Sequence, residues 1–247
     1  MKVLACYSIK GGVGKTTAAI NLAYEASVRG ARTLLWDLDP QGAATFLCRV
    51  APDIKGGAEG MLDHKRRLAN HIKSTDHAGL DIVPADWSHR HLDIYLDERK
   101  RSTERLAELL EPINSDYDIV ILDCPPGITL TSESVFGAVD ALVVPTIPST
   151  LSQRTIEQLQ GFLDGLKHPP ILLAFGSMVD RRRKLHNELI ADLGRTVPGF
   201  LHTVIPYASV IERMGVERQP VAVFSLSHAA IAFAQLWEEI TERLAIA

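Results

Sequence analysis

The apolar positions of this chain fall into short continuous runs, separated by longer stretches in which they recur every three or four residues. Seven runs read as strands: residues 2–9, 32–38, 80–85, 118–123, 141–147, 170–176 and 201–206. Within them aliphatic residues follow one another with little polar interruption, as in "DIVILD" at 118–123. Strands apolar on both sides are buried on both faces, as in a parallel sheet with helices on each side; a half-exposed sheet would alternate. Helical spacing predicts helices over 16–29, 88–111, 131–138, 150–166, 181–194, 208–216 and 227–244. Strands alternating with helices imply an α/β fold: a doubly wound, mostly parallel sheet with helices on both faces, one domain over residues 1–247. The stretch 42–79 has mixed charge, the pair Gly56-Gly57 and no clear period. It is expected to form loops and short helices on the rim. The pattern does not give the strand order.

Composition adds exclusions. The 247 residues are 46% hydrophobic and 23% charged, ordinary for a globular chain. A net charge of −4 argues against an all-over basic nucleic-acid binder but leaves room for a local basic face. Cys6, Cys48 and Cys124 are too few and too scattered for a disulfide framework or a CxxC metal site, so a reducing cytosol is the simplest setting. The first ten residues lack a signal-peptide layout, and no apolar stretch approaches the ~18 residues of a membrane span.

Chemistry enters at "SIKGGVGKTTAAINLA", Ser8 to Ala23, between the first strand and the first helix. That is the context of a phosphate-binding loop. Gly11, Gly12 and Gly14 free the backbone to converge its N–H groups, Val13 included, on phosphate oxygens at a helix N-terminus. Lys15 supplies a point charge for the β- and γ-phosphates, the Thr16 hydroxyl suits Mg²⁺, and Thr17 can bond the α-phosphate. The fold this implies is that of the P-loop NTPases.

The usual pattern G-x-x-x-x-G-K-[ST] would place its first glycine at Ile9. What stands instead is K-G-G-V-G-K-T-T, led by Lys10. This resembles the deviant phosphate loop of the ParA/MinD family of dimerising ATPases. The resemblance covers nearly the whole chain, and implies that Lys10 reaches across a dimer interface to the partner's ATP. In "LLWDLDPQGAAT" (34–45) it implies that Asp39 positions the attacking water and Asp37 supports the metal shell. "DIVILDCPPGIT" (118–129) is similar to a Walker B strand, with Asp123 at the strand end holding the Mg²⁺ hydration shell and the Gly127 N–H sensing the γ-phosphate. Asp118, at the strand start, reads as a surface residue, and Cys124 as a small packing residue.

The later segment, from Ser177 onward, is similar to the C-terminal half of ParA proteins, which implies an adenine pocket at Met178, Pro206 and Tyr207. The same likeness implies an ATP-dependent homodimer on non-specific nucleoid DNA, released when a ParB-like or cargo-adaptor protein stimulates slow hydrolysis. DNA contacts would fall on Arg181, Arg182, Arg183, Lys184, Arg213 and Arg218. The chain starts at its first strand, so a helix-turn-helix autorepressor role is not expected. Three alternatives are weaker. A MinD-like membrane ATPase needs a basic amphipathic tail, whereas "AFAQLWEEITERLAIA" has a mostly acidic polar face. An iron–sulfur reductase needs two suitably placed cysteines per subunit, whereas Cys6 and Cys124 lie on or beside core strands, and a small-molecule ligase or kinase has no use for Lys10.

Overall fold

The computed structural model describes residues 1–52, 56–62, 68–97 and 102–246. They form one eight-stranded sheet in the order β3-β4-β2-β5-β1-β6-β7-β8. The strands are β1 (Lys2–Cys6), β2 (Thr33–Asp37), β3 (Lys73–Ser74), β4 (Leu80–Val83), β5 (Ile119–Asp123), β6 (Ala141–Thr146), β7 (Ile171–Val179) and β8 (Phe200–Pro206). Every pairing is parallel except β3 with β4. All seven strands expected from the sequence are present. The eighth, β3, is a two-residue antiparallel edge in the stretch that carried no period.

Both faces are apolar because both are covered. Along β1, Val3 and Ala5 enter one cluster while Leu4 and Cys6 enter the other; along β5, Val120 and Leu122 oppose Ile119 and Ile121 in the same way. One layer holds α1 (Lys15–Val28), α2 (Ala43–Leu47) and α12 (His228–Leu244), joined by the short α9 (Ser209–Glu212), α10 (Met214–Glu217) and α11 (Val221–Phe224). The other holds α4 (Leu92–Asp97), α5 (Arg105–Leu110), α6 (Leu130–Phe136), α7 (Ser152–Leu163) and α8 (Lys184–Thr196). The short α3 (Gly57–Leu62) lies on the rim beside α4.

The structure divides two expected helices. Over 88–111, Asp86 caps a 3-10 turn, Trp87–His91, through a reciprocal capping box with His89. Then follow α4, a second 3-10 turn (Ser102–Glu104) and α5, while residues 98–101 lie outside the described set. Leu92 and Leu96 bury one short helix, and Leu106, Leu109 and Leu110 another, so two amphipathic pieces mimic one period. The expected helix 208–216 is α9 and α10, meeting at Arg213. Helix α8 begins at Lys184, so Arg181–Arg183 precede it.

The last helix is part of the core. Ala229, Ala230, Phe233, Leu236, Trp237, Ile240 and Leu244 are buried in the α1 layer. Its apolar face is therefore not free for a membrane surface, and no helix among the described residues is long and apolar enough to cross one. Leu236 is fully buried. Leu236→Ala should destabilise the protein by about 2–5 kcal/mol, read from the urea-unfolding midpoint at unchanged slope.

Candidate functional site

Because the sheet is parallel, β1, β2 and β5 deliver their following loops to one edge. From β1 the chain runs through Tyr7 and Ser8 into the glycine loop, which ends at the first turn of α1. Gly12 (φ 71°) and Gly14 (φ 97°) occupy the left-handed region. Gly14 is the N-cap residue of α1, and a Cβ there would stand 3.0 Å from Ser177 Oγ. Where a Cβ would stand on Gly11 or Gly12 there is nothing within 4 Å, leaving an open cradle. The first turn of α1 has no acidic residue to neutralise the N-terminal end of the helix dipole. Lys15 is buried, and its Nζ donates to the Lys10 carbonyl at 3.4 Å. The Lys10 backbone N–H donates to Ser8 Oγ at 3.3 Å. Its half-buried side chain forms no ion pair among the described residues.

Opposite this loop stand two carboxylates. Asp37 and Asp123 are in register on neighbouring strands, both wholly buried. Burial drives the Asp123 carboxyl well above its ordinary value of 3.8, with Asp37 adding to the rise, while the nearby Thr16 hydroxyl and Lys15 oppose it. Neither Asp123 oxygen has a hydrogen-bond partner among the described residues, Thr16 approaching without completing a bond. Two orphaned buried oxygens beside a threonine hydroxyl fit a hydrated Mg²⁺, which takes few protein ligands. Asp37 is raised to about 6, again mainly by burial. Its oxygens are engaged: Oδ2 accepts from the Thr45 N–H (2.8 Å) and hydroxyl (2.7 Å), and Oδ1 from the Asp39 N–H (3.2 Å). Asp39 is half-buried at the loop, its Oδ1 accepting the Gln41 N–H at 2.9 Å.

The Gly127 N–H, expected to face the γ-phosphate, donates instead to the Ile9 carbonyl at 3.1 Å, while Tyr7 Oη donates to the Gly127 carbonyl at 2.9 Å. The loop after β5 is thereby tied to the loop after β1. Asp118 sits at the far end of β5 in a surface ion pair with Arg32, which holds its carboxyl down to about 2. Cys6 and Cys124 are buried, and burial pushes both thiols well above their ordinary 9.0, so neither is an exposed cluster ligand.

Met178, Pro206 and Tyr207, the residues expected at the base, line one cleft with Gly14, Thr17, Phe175 and Ile205, beside the phosphate loop. Met178 holds φ 55°, a costly conformation for a side chain of that size. The basic candidates scatter. Arg182, Lys184 and Arg213 make exposed ion pairs with Asp180, Glu188 and Glu217, whereas Arg181 and Arg183 make none among the described residues. Arg218 stacks over Phe46 at 4.3 Å and donates to its carbonyl, tying α10 to α2.

Three residues escaped the sequence reading. Ser177 Oγ donates to the Val13 carbonyl at 2.8 Å and so fixes the glycine loop from β7. Asn21 Nδ2 donates to the Thr17 carbonyl, and Asn21 Oδ1 accepts from the Val221 N–H. A lone asparagine within the apolar run "AAINLA" was a readable signal for that bond. Thr45 clamps Asp37, and nothing in its sequence spacing announces it.

A glycine cradle at a helix N-terminus, faced by a strand-end acid, is the phosphate-binding arrangement of P-loop nucleotide-binding proteins. Residues 1–169 match the family described as an AAA domain. A ParA family protein of Chlamydia muridarum is 32% identical, over 99% of this chain and 97% of its own length. The chromosome partitioning protein ParA of Caulobacter vibrioides is 31% identical, over 98% and 95%. The chain belongs to the ParA/MinD family of P-loop ATPases. Among solved structures, McdA of Cyanothece in an ATP complex superposes with TM-score 0.87 at 22% identity, covering 100% of this chain and 97% of its own. Cobyrinic acid a,c-diamide synthase of Mycobacterium smegmatis, with an ATP analogue and magnesium, gives 0.83 at 25%, covering 99% and 96%.

The orphaned acid yields a test. An ionised Asp123 weakens the ligand-free fold more than a neutral amide does. Since its folded pKa lies above the unfolded value, the protonated form contributes stability that is complete below about pH 3.8 and lost as pH rises. Asp123→Asn should therefore melt roughly 2–6 °C above wild type at pH 7, with the gap closing toward pH 4. The same variant should lose the Mg²⁺ dependence of nucleotide binding.

Proposed function

We propose that this chain, acting as one unit over residues 1–247, binds ATP with Mg²⁺, pairs with a second copy, holds DNA without sequence preference and lets go after hydrolysis. The observation that carries the reading is Lys10. It leads the glycine loop, and its ammonium has no internal ion-pair partner among the described residues, as a group directed at another subunit's phosphates requires. Gly11 to Gly14 cradle the triphosphate, with Lys15 on the β- and γ-phosphates, Thr17 on the α-phosphate, and Met178, Pro206 and Tyr207 at the base. Thr16 and Asp123 hold the hydrated Mg²⁺, with Asp37 adding charge behind them. Bound there, the cation neutralises phosphate charge. Asp39, in the loop after β2, orients the attacking water, and turnover is slow until an adaptor protein stimulates it.

Relatives and neighbours support the family but span several roles. The Caulobacter relative is named for chromosome partitioning, a Pyrococcus furiosus neighbour (TM-score 0.80) for cell division as MinD, and the Mycobacterium neighbour is a synthase. The synthase keeps a ligase alive as a second reading, whereas the buried face of α12 disfavours a membrane-bound one. ATP-dependent dimerisation separates a partition-type ATPase from a ligase. By light scattering with ATP, Lys10→Ala should stay monomeric yet bind ATP within about threefold of wild type. Lys15→Ala should lose both, and Asp39→Ala should accumulate the ATP dimer. A Lys10→Ala protein that dimerises normally refutes the scheme.

DNA contacts would come from Arg181 and Arg183, joined by Arg182, Lys184 and Arg213, whose exposed pairs are weak enough to exchange for phosphates. Affinity of the ATP-bound protein for unrelated duplexes should then fall roughly 100-fold between 50 and 200 mM salt. Arg181→Ala with Arg183→Ala should weaken binding equally on every sequence.

A further inference from the structure

The geometry points to Thr45 as the positioning residue that sets Asp39, a role that rests on the ATPase reading above. Thr45 is buried on α2, beside the loop Leu38–Gly42, and each of its polar groups is used. Its N–H and hydroxyl both donate to Asp37 Oδ2, at 2.8 and 2.7 Å. Its hydroxyl oxygen accepts the Ala85 N–H at 2.7 Å, and its carbonyl accepts the Val50 N–H at 3.2 Å.

One hydroxyl therefore ties together the end of β2, the segment following β4 and the helix that closes the loop. The other Asp37 oxygen, Oδ1, accepts the Asp39 N–H. A continuous path, Ala85 N–H to Thr45 Oγ1 to Asp37 to Asp39 N–H, fixes the backbone from which the Asp39 carboxylate projects. Among the described residues, the Asp39 side chain is held only by a local bond from the Gln41 N–H. Without the Thr45 hydroxyl, Asp37 keeps a single Thr45 contact and can rotate about χ1, carrying the Asp39 amide with it. The phosphate cradle, held by Ser177 and by the loop's own bonds, does not depend on Thr45. Loss of the hydroxyl should thus slow the chemical step and leave nucleotide binding intact.

The test is steady-state ATP hydrolysis by the full chain, with Mg·ATP varied, for wild type, Thr45→Val and Thr45→Ser. Valine keeps the shape without the hydroxyl; serine keeps the hydroxyl without the methyl. Thr45→Val should lower kcat roughly 10- to 100-fold, as expected for a misplaced reacting group, with KM within about threefold. Thr45→Ser should stay within about threefold of wild type in both. Wild-type kcat in Thr45→Val, equal losses in the valine and serine variants, or a raised KM with unchanged kcat would each overturn the role. If circular dichroism shows that Thr45→Val does not fold, Thr45→Cys takes its place, because a thiol donates weakly: a cysteine variant slower than the serine variant supports the role, and equal rates overturn it. A wild-type chain that binds a fluorescent ATP analogue but never hydrolyses ATP overturns the ATPase reading, and this role with it.

Discussion

Two acids forced side by side in a dry sheet set the terms for everything around them. Parallel register places Asp37 and Asp123 on adjacent strand ends, where burial opposes the charge of each and each opposes the other's. The chain relieves them unequally. Among the described residues, Asp37 receives three donors from its own loop and helix, while Asp123 receives none. An arrangement built for stability alone would not leave a buried carboxylate without a partner when a threonine stands beside it. The deficit is located where a hydrated cation and a polyphosphate would cancel it, so empty-site instability and ligand affinity are two faces of one constraint.

How much of this was legible depended on whether the signal was local. Seven strands were readable because a strand buried on both faces must be apolar throughout, and the sheet is covered on both faces. The glycine loop was readable because positive φ at Gly12 and Gly14 demands glycine at those positions. Asp123 was readable because an acid that closes an apolar strand is delivered to the carboxyl edge of the sheet, where ligands bind in such folds. Strand order, by contrast, is decided by pairings between distant segments, and no local pattern encodes that β5 lies between β2 and β1. The same reasoning accounts for the misjudged helix over 88–111. Its apolar spacing continues through two separate pieces, and the capping box between Asp86 and His89 uses a histidine in place of the usual glutamate or glutamine. Thr45 was invisible for a related reason: a threonine eight residues after Asp37 acquires its role only when α2 folds back against β2.

The topology also determines why the glycine loop and the cleft at Met178 meet where they do. β1 is central, flanked by β5 and β6, and β7 lies one strand further out. The loop after β1 is therefore within reach of the acid from β5 on one side and of Ser177 and Met178 from β7 on the other. Ser177 bonds the Val13 carbonyl, and the next residue lines the adjoining cleft in a left-handed conformation. A single strand end thus fixes the phosphate loop and shapes the neighbouring pocket. The strain at Met178 is tolerable because β7 and β8 hold that segment on both sides of the kink, with the Tyr207 N–H donating to the Val179 carbonyl.

The fold alone does not choose among the tasks seen in its relatives, since partition proteins, a cell-division ATPase and a synthase share it at nearly full length. The choice falls to groups that the fold does not need. Asp37, Thr45, Ser177 and Asn21 are accounted for by internal bonds, and Leu236 and its neighbours by burial. Lys10 is accounted for by neither. Its backbone is held by Ser8 and it offers its own carbonyl to Lys15, but its ammonium forms no ion pair within the described structure. A long cationic side chain kept beside a phosphate cradle without an internal partner is available to a negative charge that arrives from outside the subunit. If Lys15 serves the phosphates of its own subunit, as proposed, a second lysine directed at the same phosphates would add mutual repulsion before it added affinity. Directed at a second subunit's triphosphate, as proposed, the same charge would make assembly conditional on ATP and lost on hydrolysis. That is the property that distinguishes a molecular switch from a metabolic enzyme on the same scaffold.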